Sequence, residues 1–264
     1  MSTGYSLVKG VYVISLLKKQ FDSSRAGLAC AAAVMAVLTI GASNAQAVII
    51  PGLFPTGVDA GGNVLPGTTI DPHYKLIASD DPNFPIPNAY VVATTGGYIF
   101  PPAWAGAPNT LTSAWISANP LQSGTAGGTI GNSPGTFIYR LTFTLAPDQD
   151  PTKSTISGNW AGDDISLIYL NGVYTGNTNL NGIGGFPTLK SFNIPAGPGP
   201  SLFVAGVNHL DFVVVNAAQG TTGLLVSDIT GDGPIIPEPS SIVLSLLGGA
   251  GLGIAALRRR RASK

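Results

Sequence analysis

The pattern that most restricts the fold lies in residues Thr136–Leu145, where large apolar side chains alternate with a mostly polar set. Successive side chains of a β-strand point to opposite faces, so this segment is predicted to be a half-buried strand. One face carries Phe137, Tyr139, Leu141, Phe143 and Leu145, and the other carries Ile138, Arg140, Thr142 and Thr144.

The remainder of residues 48–236 has the same strand-and-turn character, with short apolar runs separated by Gly, Pro, Asn and Asp. Ile165–Leu170 and Val173–Thr175 flank Asn171-Gly172, a dipeptide that strongly favours a two-residue hairpin turn. Nine or ten strands in one domain predict an all-β, two-layer antiparallel β-sandwich of the jelly-roll type, with a single-sheet barrel as the alternative. The other predicted strands are Asn208–Asn216, Gly223–Ile229, Tyr74–Ala78, Ala89–Thr95, Ala114–Ser117, Thr155–Trp160, Lys190–Ile194 and Leu202–Val204.

Several short motifs make this region similar to the galactose-binding-like jelly rolls. They are Trp160 with Asp163-Asp164, Ile168–Val173, Phe192, Leu202–Asn216 and Gly223–Val226, with Trp115-Ile116 and Pro120 in the earlier half. The resemblance implies a sandwich domain over residues 71–230 and does not identify a ligand. Residues 48–70 are predicted to be a loose Gly- and Pro-rich leading segment, and residues 231–236 a linker.

The N-terminus has the order of a secretory signal peptide over residues 1–47. A basic region ends at Arg25, the apolar run Ala26–Ala42 follows, and Ala45 and Ala47 provide the small side chains that signal peptidase accepts before its cleavage site. Cleavage is therefore predicted after Ala47, although the true translation start could lie further into the chain. An uncleaved membrane helix or a buried helix is the alternative.

The C-terminus contains three features in order, over residues 237–261. Pro237-Glu238-Pro239 precedes the apolar run Ile242–Leu257, and the basic block Arg258–Arg261 follows. Residues 240–257 would form a helix of about 27 Å, close to the thickness of a bilayer core. Since the arginines stay on the cytoplasmic side, the middle domain is predicted to face outward from a transmembrane helix.

This tail resembles the PEP-CTERM sorting signal, whose members are substrates of the membrane transpeptidase exosortase. The resemblance implies that Pro237-Glu238-Pro239 is the recognised motif and that Arg258, Arg259, Arg260 and Arg261 stop transfer. The prolines favour an extended segment that suits a protease groove. The protein is then expected to be exported, anchored, processed, and left at the cell surface or outside the cell. A plain tail anchor is the alternative.

The chemistry of residues 48–236 disfavours an enzyme. The segment has eleven Asp, no Glu, four basic residues and two histidines, His73 and His209, so few groups exchange protons near neutral pH. Its net charge of −7 disfavours nucleic acid as a partner. No cofactor and no defined metal site are predicted. Calcium remains open at three Asp pairs, which are Asp148/Asp150, Asp163/Asp164 and Asp228/Asp232.

Three tryptophans could serve glycan binding or the core. Trp104 follows Pro101-Pro102-Ala103 and is the candidate for an exposed platform that stacks on sugar rings, whereas Trp115 and Trp160 are predicted to fill the core. The predicted function is that of a non-catalytic envelope protein with a structural, adhesive or extracellular-matrix role. A carbohydrate-binding module for surface glycan or exopolysaccharide is the alternative, and a hydrolase using Asp residues is a third hypothesis.

Overall fold

Ten antiparallel strands form the framework of the described part of the chain. The structure is a computed structural model that describes residues 48–94, 104–105, 112–122, 131–180, 185–195, 202–236 and 248–249. All ten strands belong to one unit, Gln46–Ile236. They are β1 (Ile70–Ser79), β2 (Asn88–Val91), β3 (Ile116–Ser117), β4 (Gly135–Leu145), β5 (Thr155–Asp163), β6 (Ile165–Leu170), β7 (Val173–Asn179), β8 (Lys190–Ile194), β9 (Gly206–Asn216) and β10 (Gly223–Asp232).

Strand β4 confirms the predicted alternation. Its five apolar side chains from Phe137 to Leu145 are buried, while Thr142 and Thr144 on the other face are exposed. The strand lies between β1 and β9 and pairs with β9 along its whole length. One face of β4 therefore belongs to the core and the other is an outer surface.

The predicted hairpin at Asn171-Gly172 is also confirmed, because it joins β6 to β7. Asn171 has φ 51° and Gly172 has φ 80°, as a two-residue hairpin turn requires. The Asn171 side chain also donates to the carbonyl of Leu202 at 2.8 Å, which ties the turn to the chain before β9. Leu202–Val204, predicted to be a strand, is instead irregular chain leading into β9.

The strands form one continuous sheet in the order β7-β6-β9-β4-β1-β2-β3-β10-β5-β8. The sheet folds over itself, because Phe192 of β8 lies 6.1 Å from Phe212 of β9, measured between ring centroids. Side chains also connect the two edge strands, since Lys190 Nζ of β8 donates to the carbonyl of Thr178 of β7 at 2.6 Å. The fold is thus all-β and antiparallel, with two facing layers drawn from a single sheet.

The leading segment differs from the prediction of a loose stretch. Ile50 and Val58 are buried, and Thr56 donates its hydroxyl hydrogen to the carbonyl of Ala114 at 2.7 Å. The Asp71 carboxylate accepts backbone hydrogen bonds from Gly57 at 2.6 Å, His73 at 2.8 Å and Tyr74 at 2.9 Å. Burial raises the pKa of Asp71, and these three N–H donors oppose the rise. A buried carboxylate therefore joins the leading segment to β1.

Residues 231–236 are likewise part of the fold rather than a free linker. Gly231 and Asp232 end β10, Ile235 bridges to Gln149, and the Ile236 N–H donates to the carbonyl of Asp148 at 2.6 Å. The predicted signal peptide and sorting tail fall almost wholly outside the described residues; of helix 240–257, only Gly248 and Gly249 are described, and they are helical. Among the described residues, no helix has the length and apolar character needed to cross a bilayer.

Candidate functional site

Five outward-facing side chains form a line across β1, β4, β9, β6 and β7, and we call this line the outer row. The strand register places Lys75 beside Arg140, Arg140 beside Asp211, Asp211 beside Tyr169, and Tyr169 beside Tyr174. Four strand spacings separate the ends of the row, which corresponds to about 19 Å along the sheet. The outer row is therefore long enough to contact several units of an extended ligand.

An ion pair occupies the centre of the outer row. Arg140 donates from Nε to Asp211 Oδ1 and from Nη2 to Asp211 Oδ2, both at 2.7 Å. This two-point hydrogen bonding raises the pKa of Arg140, although burial opposes it. Arg140 keeps 31% of its side chain exposed, and its Nη1 has no hydrogen-bond partner among the described residues. The pair is thus rigid and still presents N–H donors to solvent.

Two tyrosines form the other half of the outer row. The rings of Tyr169 and Tyr174 lie 5.4 Å apart between centroids, at an interplanar angle of 49°. Tyr174 is 44% exposed, and its hydroxyl is hydrogen-bonded to that of Thr178. That bond limits rotation of the ring and leaves an aromatic surface facing solvent beside the charged pair.

A second line of polar side chains lies one step along the same strands. Thr142 of β4 pairs with His209 of β9, and the Thr142 hydroxyl lies 3.2 Å from His209 Nδ1. His73 of β1 stacks on Phe54 of the leading segment, with ring centroids 3.7 Å apart and planes within 6° of parallel. The buried Nε2 of His73 has no hydrogen-bond partner within the described chain.

A cavity of about 280 Å³ joins the two lines. Its walls come from the leading segment, β1 and β4, with Lys75 shared with the outer row. The volume lies just below the about 300 Å³ at which small-molecule sites usually begin, so the cavity suits one sugar unit or a substituent. The lining residues are Gly52, Phe54, Pro72, His73, Lys75, Leu141 and Thr142.

The sequence did not identify this site as a unit. Arg140 was predicted to face outward. Its neighbours in the outer row could not be predicted, because the strands are not adjacent in the sheet in the order in which they follow one another in the chain. The outward polar positions in β4 and β9 are the only local signal for the outer row. Tyr169 and Tyr174 lie in the two predicted strands of the hairpin. Nothing in the sequence indicated that Asp211 would lie beside Tyr169.

The prediction that Trp104 forms an exposed platform is wrong. Trp104 is only 3% exposed and stacks on Trp115 with ring centroids 4.1 Å apart. Its Nε1 donates to Asp163 Oδ2 at 2.8 Å. Trp104 belongs to a small apolar cluster with Val92, Trp115 and Leu225. Trp115 and Trp160 are fully buried, as predicted.

Asp163 is the most perturbed carboxyl group described. Burial raises its pKa to about 7, and the hydrogen bond to Asp164 and the negative charge of Asp164 add to the rise. Hydrogen bonds from Trp104 Nε1 and, at 3.2 Å, from the Thr221 hydroxyl oppose it. The group is thus held in a polar corner of the Trp104 cluster.

In two of the three Asp pairs considered for calcium, one carboxylate has partners within the described chain. Asp150 accepts from the backbone and hydroxyl of Thr152 and pairs with Lys153 at 3.2 Å, so it stabilises its own turn. Asp228 accepts from the side chain of Asn159 at 3.1 Å. Within the described ranges, no group of three or more His, Cys, Asp or Glu side chains is placed to hold a metal ion.

The remaining predicted site residues lie outside the described residues. They are Ala45 and Ala47 at the predicted signal cleavage site, Pro237, Glu238 and Pro239 in the sorting motif, and Arg258, Arg259, Arg260 and Arg261 in the basic block.

Comparisons with known proteins give only remote structural likenesses. No family model and no curated protein matches the chain. A Stig cyclase, Fisc from Fischerella sp. TAU, is 14% identical, covers 73% of this chain and 100% of its own, and has a TM-score of 0.39. The carbohydrate-binding module CBM36 in complex with calcium and xylotriose is 15% identical, covers 54% of this chain and 92% of its own, and has a TM-score of 0.25.

A family 35 carbohydrate-binding module from an environmental isolate is 14% identical, covers 62% of this chain and 98% of its own, and has a TM-score of 0.26. At these TM-scores, none of the likenesses determines the function of this chain. The geometry of the outer row is therefore the basis for a functional hypothesis.

Proposed function

We propose that this chain is an exported, non-catalytic envelope protein that binds an extended glycan across the outer row and thereby has an adhesive or matrix role. The observation that supports the proposal is the outer row itself. An exposed tyrosine ring, a rigid charged pair and a further lysine follow one another at strand spacing on one face.

The chemistry of the outer row matches what a polysaccharide offers. The apolar face of a sugar ring packs on Tyr174, and its hydroxyl groups accept from the free N–H groups of Arg140 and donate to acceptors nearby. Because the strands hold these groups at fixed intervals, little side-chain entropy is lost when a ligand binds. A row of this kind suits binding of a polysaccharide chain along its length.

The proposal includes the processing of both ends. Signal peptidase cleaves after Ala47, the membrane helix 240–257 holds the domain outside, and exosortase acts at Pro237-Glu238-Pro239. The order of motif, apolar run and arginines supports this route. The domain is accordingly a galactose-binding-like jelly roll delivered to the cell surface or the extracellular matrix.

Glycan binding is tested with Tyr174→Ala in the full-length protein. We expect binding on a polysaccharide array to weaken about two- to tenfold, since an aromatic stacking contact contributes about 0.5–1.5 kcal/mol beyond its burial. Tyr174→Phe is the matched control, because it keeps the aromatic ring and removes only the hydroxyl group that bonds to Thr178. Equal affinities for the two variants, or no binding by the parent protein, would refute the proposal.

Processing is tested by replacing Pro237, Glu238 and Pro239 with Ala and measuring the mass of the mature protein in cells and medium. We expect the parent protein to lose its basic tail and the variant to retain it in the membrane fraction. Ser240→Ala with Ser241→Ala is the control, since it alters the adjacent residues and spares the motif. The same C-terminal residue in the mature form of all three proteins would rule out sorting through this motif.

A further inference from the structure

Two of the four Lys or Arg side chains of residues 48–236, and both of its histidines, lie on one face. This segment has four Lys or Arg residues and two His residues against eleven Asp residues. Lys75 and Arg140 are neighbours in the outer row, and His73 and His209 lie on the adjacent line. Four of the six basic or imidazole groups of an acidic segment therefore lie on one face.

The two other lysines are engaged elsewhere. Lys153 pairs with Asp150 at 3.2 Å, and Lys190 donates to the carbonyl of Thr178 at 2.6 Å. Lys75 has no ion-pair or hydrogen-bond partner among the described residues, although its side chain lines the cavity of about 280 Å³. Lys75, with its unengaged ammonium group, therefore lines the cavity together with Thr142 and His73.

We propose that the glycan bound at this site is acidic, with a carboxylate-bearing sugar unit whose anion enters the cavity beside Lys75. This inference rests on the proposed function, because it specifies the ligand of the same face. The carboxylate accepts from Lys75 Nζ and from the Thr142 hydroxyl, and the next sugar units extend past Arg140 toward the tyrosines.

The nearby carboxylates are consistent with this assignment, because each already has its own donors. Asp211 is held by Arg140. Asp71 is buried and accepts three backbone N–H groups. Asp59 accepts hydrogen bonds from the backbone and side chain of Asn63, and these bonds, with a smaller electrostatic contribution from His73, lower its pKa. None of them neutralises Lys75, so that ammonium remains available to an anion.

The acidity of the remaining surface makes the proposal selective. Net charge of −7 over residues 48–236 repels polyanions in general. An acidic polysaccharide therefore binds only where local positive charge outweighs that repulsion. Binding at this face is expected to weaken as salt rises toward about 1 M, where the screening length falls to about 3 Å.

The test compares the full-length protein with short oligogalacturonates and with the same oligosaccharides after reduction of their carboxyl groups. We expect the acidic oligosaccharide to bind at least about tenfold more tightly, the ratio that one charge-assisted hydrogen bond supplies. Lys75→Gln should remove most of this ratio, and Lys75→Arg should retain it. Lys153→Gln removes the same charge away from the site and should leave the ratio unchanged.

The binding results distinguish failure of the acidic ligand from failure of glycan binding itself. If both oligosaccharides bind equally and Tyr174→Ala weakens both, the acidic ligand is refuted while glycan binding stands. If Lys153→Gln and Lys75→Gln reduce the ratio alike, net charge rather than the cavity discriminates, and the inference fails. If neither the oligogalacturonates nor any glycan on the array binds, the proposed function itself is refuted.

Discussion

The pKa of Asp163 is raised by burial and by Asp164 and lowered by hydrogen bonds from Trp104 and Thr221. Its carboxyl group is 3% exposed and accepts a hydrogen bond from Trp104, yet Asp164 lies beside it. The folded state raises the pKa of Asp163 from 3.8 to about 7. Protonated Asp163 is therefore the form that the fold prefers, and ionisation of Asp163 at higher pH opposes folding.

This residue makes the stability of the domain depend on pH. Between about pH 4 and pH 7 the folded chain binds the proton of Asp163 more tightly than the unfolded chain does, so this contribution to stability falls as pH rises through that window. Asp163→Asn keeps an oxygen that accepts from Trp104 and cannot ionise. We expect the variant to be more stable than the parent protein at pH 8. Its free energy of unfolding should also fall less between about pH 4 and pH 7. Urea unfolding followed by tryptophan fluorescence measures both effects.

Asp150→Asn is a control of opposite sign. Hydrogen bonds from Thr152 and the charge of Lys153 lower the pKa of Asp150, so its carboxylate favours the folded state at neutral pH. Its replacement should slightly reduce stability above about pH 4 and have little effect at lower pH. If Asp163→Asn follows this course instead, the assignment of a raised pKa to Asp163 is wrong.

Trp104 illustrates which side chains a sequence can place. Trp160 lies in a predicted strand, and the alternation along that strand assigns it to the core. Trp104 lies in irregular chain, where no period relates one side chain to the next. Its partner Asp163 is 59 residues away, and the cluster that buries it includes residues of β5 and β10 that are distant in sequence. The proline-rich surroundings were therefore a poor guide to exposure.

Strands were predictable where one face is buried and the other is not. Lys190–Ile194 was predicted with the bounds of β8, and the predictions for β4, β6 and β9 lie within two residues of the observed ends. Prediction was poorer for β3, which keeps only two residues, and for β5, which extends to Asp163. The last part of β5 is buried on both faces, from Trp160 to Asp163, so the period of two disappears there.

The order of the strands in the sheet could not be predicted from local sequence patterns. Each outer-row residue could be assigned an outward direction from its own strand, as Arg140 was in β4. The row exists because β9 lies between β4 and β6, which no spacing within the chain encodes. Long-range pairing therefore created the candidate site, and sequence periodicity supplied only its separate side chains.

At the scale of the whole molecule, the beginning and the end of the described segment 48–236 meet. Ile49 bridges to Asp232, the Gly233 N–H donates to the carbonyl of Val48 at 2.8 Å, and the Ile50 N–H donates to the carbonyl of Gly231 at 2.9 Å. The residues next to the two predicted processing sites are thus held by the fold itself. The leading segment consequently stabilises the last strand.

Two adjacent isoleucines in the full-length protein test whether the leading segment closes the domain. Ile50 is 1% exposed and belongs to the main core, whereas Ile49 is 72% exposed. Ile50→Ala should lower the free energy of unfolding by about 2–5 kcal/mol, because it leaves a cavity beside β10. Ile49→Ala should change it by less than about 0.5 kcal/mol. Urea unfolding measures both variants, and equal small effects would mean that the leading segment does not close the domain.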